Sequence, residues 1–176
     1  MLSKTLTKLV DEAILPAVIL VAAKVLGVII VNSVLNLRWS LKGISLVYYS
    51  GTDYLAANSY STLIMFGAIL LFTLWVLLKS HLWHDSHVSP ATSAKLVDRN
   101  LIHLIQSSFE LYTQATVWLS YSLLTTLILG IMAVSSLIFT WIFYVALVLT
   151  VLTLVLLLLD VERELSIKKE SQLFYA

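Results

Sequence analysis

The sequence contains no cysteine, and it has only two prolines, five glycines and 12% charged residues. Without cysteine, the chain cannot form disulfide bonds, cysteine-bound iron–sulfur clusters or other thiolate metal sites. Soluble domains have about 25% charged residues. The formal net charge is +1 and the basic residues form no stripe, so binding to nucleic acid is not expected.

Hydrophobic residues make up 60% of the 176 residues, whereas apolar residues are about 45–50% of a soluble domain. A water-soluble fold of this size could not bury so much apolar surface, and the excess must therefore face lipid. Inside a bilayer, a helix of about 20 apolar residues satisfies its own backbone hydrogen bonds. The sequence predicts an all-α, polytopic membrane protein: a four-transmembrane-helix bundle in which residues 1–176 form a single integral membrane domain.

The positions of the spans follow from the uncharged runs. Residues 116–159 contain no charged residue and are too many for one span, so two spans are expected there, with a tight turn at Ser135-Ser136. A further run ends at Lys79. The N-terminal run is interrupted by Lys24 and lacks a small-residue cleavage site, which favours a retained span over a signal peptide. The predicted spans are about 14–37, 60–79, 113–134 and 138–159.

Two connections carry structural signals of their own. Ser89 followed by Pro90 is a typical helix start. The residues from there to Gln114 are amphipathic, which predicts a cytoplasmic helix between spans two and three that lies along the inner surface or continues into span three. In the first connection, residues 44–49 are either a short strand or an interfacial segment, and residues 51–53 have the composition of a turn.

Lysine and arginine are unevenly distributed over the connections. With four spans, the N-terminus, the middle connection and the C-terminus share one side of the membrane and contain eight basic residues, whereas the other side contains two. The eight are Lys4, Lys8, Lys79, Lys95, Arg99, Arg163, Lys168 and Lys169, and the two are Arg38 and Lys42. Because basic residues are enriched on the cytoplasmic side, we expect a multi-pass protein of the plasma membrane with both termini cytoplasmic.

Three of the four histidines lie in the segment 81–87. If span two continues as a helix, His81, His84 and Asp85 share one face, at positions i, i+3 and i+4. Two imidazoles and a carboxylate suit a divalent transition metal, and His103 could add a fourth ligand. The alternative is that these are partly exposed residues at the membrane boundary, without a ligand. The sequence identifies no particular cofactor.

Lys24 is the clearest polar anomaly, because it is predicted to lie well inside the bilayer. Ionisable groups at such depth are costly and generally face a partner or a cavity. Lys24, Asn32 and Asn36 recur at multiples of four and predict a polar stripe on span one. If span three begins nearer Leu101, Glu110 enters the membrane to a similar depth from the same side. Two interpretations stay open for Lys24: it pairs with Glu110 across the bundle, or its ammonium reaches the inner headgroups along its own stem.

Three functions are compatible with these features. The first is a non-enzymatic accessory or scaffold subunit of a membrane complex, because the sequence has no nucleotide-binding loop, no Ser-His-Asp arrangement and no pair of broken transporter helices. Its partners would be the lipid bilayer and other membrane subunits or further copies of the chain. The second is a metal- or haem-binding redox protein that uses the histidine cluster. The third is a proton or small-solute carrier that uses Lys24 and its polar neighbours.

Overall fold

The computed structural model describes residues 14–82, 90–101 and 107–174, which are mostly helical. In chain order, the elements are α1 (Leu15–Val34), β1 (Trp39–Lys42), β2 (Ser45–Tyr48), α2 (Gly51–Leu82), α3 (Pro90–Asp98), α4 (Ser108–Val134) and α5 (Thr140–Phe174). Among the described residues, the four helices α1, α2, α4 and α5 are long and apolar enough to cross a membrane. They correspond to the four predicted spans.

Helix α2 begins nine residues before the predicted start of its span at residue 60. The prediction of a turn at residues 51–53 is wrong, because these residues form the first helical turn. The hydroxyl of Ser50 accepts hydrogen bonds from the N–H groups of Thr52 (3.1 Å) and Asp53 (3.4 Å). Such a serine supplies the acceptor that the free N–H groups of a helix start require. Asp53 in this turn also interacts favourably with the helix dipole.

A β-hairpin connects α1 to α2. Its two strands are antiparallel, with Trp39 opposite Tyr48 and Lys42 opposite Ser45. The turn contains Gly43 at a φ of 62°, a left-handed conformation that glycine adopts without steric cost. The strand interpretation of residues 44–49 is thus confirmed. The fold nevertheless departs from all-α in this small two-stranded sheet.

Three helices end on a residue other than glycine in the left-handed region. Asn36, Asn100 and Ser136 have φ values of 50°, 56° and 57°. In each case the next N–H group bonds back to a carbonyl in the last turn: Leu37 to Asn32 (3.1 Å), Leu101 to Leu96 (2.8 Å) and Leu137 to Met132 (2.8 Å). This pattern satisfies carbonyl groups that a helix end leaves free. The predicted turn at Ser135-Ser136 is confirmed.

The helix predicted from residue 89 to Gln114 is shorter than expected. Helix α3 has nine residues and ends before Asn100, whose left-handed backbone stops it. Residues 102–106 lie outside the described part of the chain, and α4 begins at Ser108. The amphipathic periodicity of the sequence continues past Asn100, so it does not show that α3 ends there.

Contacts between residues divide the chain into two compact units. The first comprises Met1–Leu71 and Ser120–Thr150, and the second comprises Phe72–Leu119 and Val151–Ala176. The single-domain prediction is not tested by this division and stays a prediction. The core of the first unit consists of Phe66, Leu129, Ile138, Ile142 and Ala146. In the second, the rings of Phe72 and Trp118 stack with centroids 4.8 Å apart.

Large apolar side chains are exposed along all four long helices. Exposed fractions reach 65% for Val21, 70% for Leu71, 68% for Ile131 and 65% for Val148. Soluble proteins rarely expose contiguous apolar patches larger than a few hundred Å². Exposed apolar side chains along long helices are what a membrane-spanning bundle would present to lipid.

Candidate functional site

Lys24 lies at the middle of α1, and its ammonium group bonds to one short segment of α2. It donates to the carbonyl oxygen (3.1 Å) and the side-chain oxygen (2.9 Å) of Asn58, to Ser61 Oγ (2.8 Å) and to Thr62 Oγ1. An ammonium has three N–H donors, so these four oxygens saturate it. We call Lys24, Asn58, Ser61 and Thr62 the Lys24 site.

The three partners share one face of α2 because they lie at positions i, i+3 and i+4. Ser61 and Thr62 each donate their hydroxyl proton back to the Asn58 carbonyl, at 3.2 and 2.6 Å. Their oxygen lone pairs are then directed at the ammonium as acceptors. The partners are all neutral, and no carboxylate in the described part of the chain forms an ion pair with Lys24. The amino group of Lys24 is thus surrounded by neutral oxygens.

Gly27 explains how α1 comes close enough to α2 for these bonds. A Cβ atom on Gly27 would lie 3.0 Å from the carbonyl oxygen of Ser61 and 3.1 Å from its Cα. Both are backbone atoms, which cannot move aside as a side chain can. The missing side chain at Gly27, one turn from Lys24, therefore sets the distance between the two helices.

The same segment of α2 also holds the turn between α4 and α5. The side-chain amide of Asn58 donates to the carbonyl of Leu137 (2.8 Å), and Ser59 Oγ accepts from the N–H of Phe139 (2.8 Å). Asn58 thus bridges the Lys24 ammonium and this turn. None of these four α2 residues was predicted: Asn58 and Ser59 lie before the predicted start of the span at residue 60, and for Ser61 and Thr62, inside the span, neutral oxygens were not expected as partners of Lys24. Helical spacing of Asn58 with Ser61 and Thr62 was the available signal.

A cavity of about 330 Å³ lies beside the Lys24 site. Its lining residues come from α1, α2 and α4 within the first unit: Leu20, Val21, Lys24, Val25, Thr62, Met65, Tyr121, Leu124, Thr125, Ile128, Leu129 and Met132. Most of them are apolar. The volume of the cavity lies at the lower end of the range of about 300–1,000 Å³ that is typical of small-molecule pockets, and its surface is almost entirely apolar.

The other residues predicted as intramembrane polar groups lie apart from the ammonium contacts. Asn32 is buried and accepts from the hydroxyl of Tyr48 in the hairpin (3.1 Å). Asn36 is exposed and ends α1, so it does not extend a polar stripe. The side chain of Glu110 is exposed. The Lys24 site does not require Glu110, and the pairing of Lys24 with Glu110 stays a prediction.

A second polar cluster in the second unit is centred on Asp160 of α5. Its carboxylate accepts from Ser80 Oγ of α2 (2.9 Å) and lies 3.3 Å from the hydroxyl of Tyr112 on α4. His81 Nδ1 lies 3.3 Å from the other carboxylate oxygen. Asp160 therefore joins three helices. In the sequence, Asp160 directly follows the uncharged run of residues 116–159.

Of the predicted metal ligands, His81 is described and contacts Asp160. His84, Asp85 and His103 lie outside the described residues. Within the described ranges, no group of three histidine or acidic side chains is placed to hold a metal ion. The predicted four-ligand site therefore stays a prediction.

No protein-family model, curated protein or solved structure matches this chain. Its function must be inferred from its own residues.

Proposed function

We propose that the chain is a multi-pass plasma-membrane protein that acts as a non-enzymatic accessory or scaffold subunit, associating with other membrane proteins or with further copies of itself. The observation that carries the proposal is the packing of α1. Only Pro16, Gly27, Val31 and Asn32 of its 20 residues are buried. The apolar side chains of Val18, Val21, Val25 and Ile29 form an exposed face at helical spacing.

The described polar groups within the long helices support a structural role. Lys24 and Asp160 each contact other helices, and the hydroxyls of Thr126 and Thr150 lie 2.8 Å apart between α4 and α5. Helices in lipid lack a hydrophobic driving force between them, and polar contacts of this kind help to hold them together. The arrangement is that of a small scaffold built to present apolar faces.

The proposed orientation has the hairpin outside and α3 inside, and cysteine labelling tests it directly. The chain contains no cysteine, so each introduced cysteine is unique. In intact cells, a membrane-impermeant maleimide should label an Ile44→Cys variant in the hairpin turn. An Ala91→Cys variant in α3 should be labelled only after permeabilisation. The reverse pattern would invert the topology, and release of the protein by alkaline carbonate would contradict membrane insertion.

The scaffold role predicts a protein neighbour at α1. A photo-cross-linking amino acid at Ile29, in native membranes, should yield an adduct of defined mass above the 19.7 kDa chain. The same group at Val148, an exposed position on α5, is the matched control. Lipid adducts alone at both positions would contradict the role.

A carrier for protons or small solutes is the second candidate, and the cavity beside Lys24 favours it. Flux of protons or a weak acid into liposomes should then depend on Lys24, with Lys24→Met as the inactive variant. Flux that is equal in both proteins, or absent, would exclude this function.

The redox alternative rests on His81, His84, Asp85 and His103. Metal analysis and a visible absorption spectrum of the purified protein test it. A stoichiometric metal or a haem band that is lost in a His84→Ala variant would support it, whereas metal-free protein would refute it.

A further inference from the structure

We propose that the β-hairpin binds the surface of the bilayer, with one face of its two strands on the acyl chains and the side chains of Arg38 and Lys42 on lipid phosphates. The inference rests on the proposed membrane insertion, because the two helices that the hairpin connects, α1 and α2, then cross the bilayer. It assigns to the hairpin a partner that the scaffold role does not need.

The two faces of the hairpin differ in polarity. Successive side chains of a strand point to opposite faces, and residues that pair across two strands share a face. One face consists of apolar and aromatic side chains from two cross-strand pairs: Trp39 with Tyr48, and Leu41 with Leu46. We call it the apolar face. The opposite face has three polar side chains among its four strand residues: Ser40, Lys42, Ser45 and Val47.

The apolar face is directed toward the helices. Tyr48, which lies on this face, donates a hydrogen bond to the side-chain oxygen of Asn32 (3.1 Å), and its ring meets the ring of Tyr54 edge-on with centroids 6.0 Å apart. Asn32 is a buried residue inside α1, two residues before its end. The apolar face is therefore turned toward the part of the chain that spans the membrane.

The protein covers the Tyr48 end of the apolar face and leaves the rest exposed. Leu41 is 63% exposed, Leu46 42% and Trp39 41%. Since the hairpin joins the ends of two helices long enough to span, these side chains lie at the boundary between hydrocarbon and head groups once the chain is inserted. Tryptophan is enriched at this boundary, and amphipathic segments lie there with their apolar face on the acyl chains.

The charge of the hairpin favours a lipid surface as the partner. Residues 35–52 contain two basic residues, Arg38 and Lys42, and no acidic residue. Among the described residues, neither basic side chain has a carboxylate partner. The long stems of arginine and lysine can lie along an apolar surface while their charges reach the head groups. Each such side chain contributes about fivefold to the affinity for an anionic membrane surface.

Fluorescence quenching tests the position of the hairpin. The chain has no cysteine, so a nitrobenzoxadiazole dye can be attached to Leu46→Cys on the apolar face or to Ser45→Cys on the opposite face. The protein is reconstituted in phosphatidylcholine vesicles with either a nitroxide lipid or iodide on both sides of the membrane. The dye at position 46 should be quenched by the nitroxide lipid and protected from iodide, and the dye at position 45 should show the reverse. Equal quenching of the two dyes would overturn the proposal.

The contribution of charge is tested with the dye at position 46 and nitroxide lipids of two head groups. Half-maximal quenching should need at most about one fifth as much nitroxide phosphatidylglycerol as nitroxide phosphatidylcholine. The double variant Arg38→Gln/Lys42→Gln should lose this preference. The matched control Lys95→Gln/Arg99→Gln removes one lysine and one arginine from exposed positions elsewhere and should retain it. The same preference in both double variants would overturn the proposal.

A protein on the apolar face is the competing occupant. It would protect the dye at position 46 from the nitroxide lipid as well as from iodide, and this result would overturn the proposal. Carbonate extraction of the same vesicles tests membrane insertion separately. Release of the protein would overturn the proposed insertion and this inference with it, whereas a retained protein whose dye at position 46 is not quenched by lipid would overturn this inference alone.

Discussion

Gly27→Ala tests the contact that places Lys24. Carbon atoms pack favourably at about 3.5–4.0 Å, whereas the new Cβ would lie 3.0–3.2 Å from three atoms of Ser61. Helix α1 must therefore move away from α2 by about half an ångström, an overpacking that destabilises a protein by about 1–3 kcal/mol. Opposing this, alanine has a helix propensity about 0.8–1.0 kcal/mol more favourable than that of glycine.

Gly67→Ala is the control that separates the effect of the Gly27–Ser61 contact from the effect of helix propensity. Gly67 also lies inside a helix, and a Cβ atom there would meet nothing within 4 Å. Both variants gain the same propensity, so the difference in their free energies of unfolding reports the contact alone. We expect Gly27→Ala to be less stable than Gly67→Ala by about 1–3 kcal/mol. The assay is unfolding by dodecyl sulfate in dodecyl maltoside micelles, followed by far-ultraviolet circular dichroism.

A double variant tests whether Gly27 acts through Lys24. If the separation of α1 and α2 weakens the bonds of the ammonium, Gly27→Ala and Lys24→Met remove part of the same interaction. Their combined effect should then be smaller than the sum of the single effects by more than about 0.5 kcal/mol, the limit for independent sites. Equal stability of the two alanine variants would refute the close approach of α1 to α2, whereas strict additivity in the double variant would show that Gly27 does not act through Lys24.

The remaining predictions use the same unfolding assay. Asp160→Asn should destabilise the protein by about 1.5–3 kcal/mol, since hydrogen bonds to a charged group are lost; no change would mean that the cluster does not join the helices. Tyr112→Phe should cost about 0.5–1.5 kcal/mol, whereas Tyr144→Phe on an exposed side chain should stay within about 0.5 kcal/mol of the parent. Ser136→Gly should stabilise by about 1 kcal/mol because it relieves a left-handed backbone, and Ser135→Gly should not; equal effects would place the capping residue elsewhere.

The sequence was sufficient for the long helices and for the turn at Ser135-Ser136, because uncharged length is a strong signal for a spanning helix. It was insufficient for the start of α2. Residues 50–59 contain two serines and one residue each of glycine, threonine, aspartate and asparagine, and residue types of this kind are common in loops. The cap by Ser50 and the partners of Asn58 and Ser59 make the same residues helical. These partners are distant in the chain, and no local pattern records them.

For the polar sites, too, only part could be predicted from the sequence. Lys24 could be recognised as an anomaly, because its position in an apolar run depends on the sequence alone. Its partners could not be predicted, since an opposite charge such as Glu110 was the expected partner, whereas neutral oxygens of Asn58 and Thr62 bond to the ammonium. Asp160 was not predicted as a site for a related reason. A carboxylate at the end of an apolar run is usually solvated, and its contacts with Ser80 and Tyr112 come from other helices.

The contacts of α1 explain why the Lys24 site is important for holding this helix in place. Most of the apolar side chains of α1 are exposed, and in lipid such side chains gain little by packing on another helix. Among the described residues, α1 is held by the close approach at Gly27, the bonds of Lys24 and the bond between Asn32 and Tyr48, together with the burial of Pro16 and Val31. By contrast, α4 and α5 share a buried apolar core with Phe66 of α2. Loss of the Lys24 site should therefore free α1 while the pairing of α4 with α5 persists.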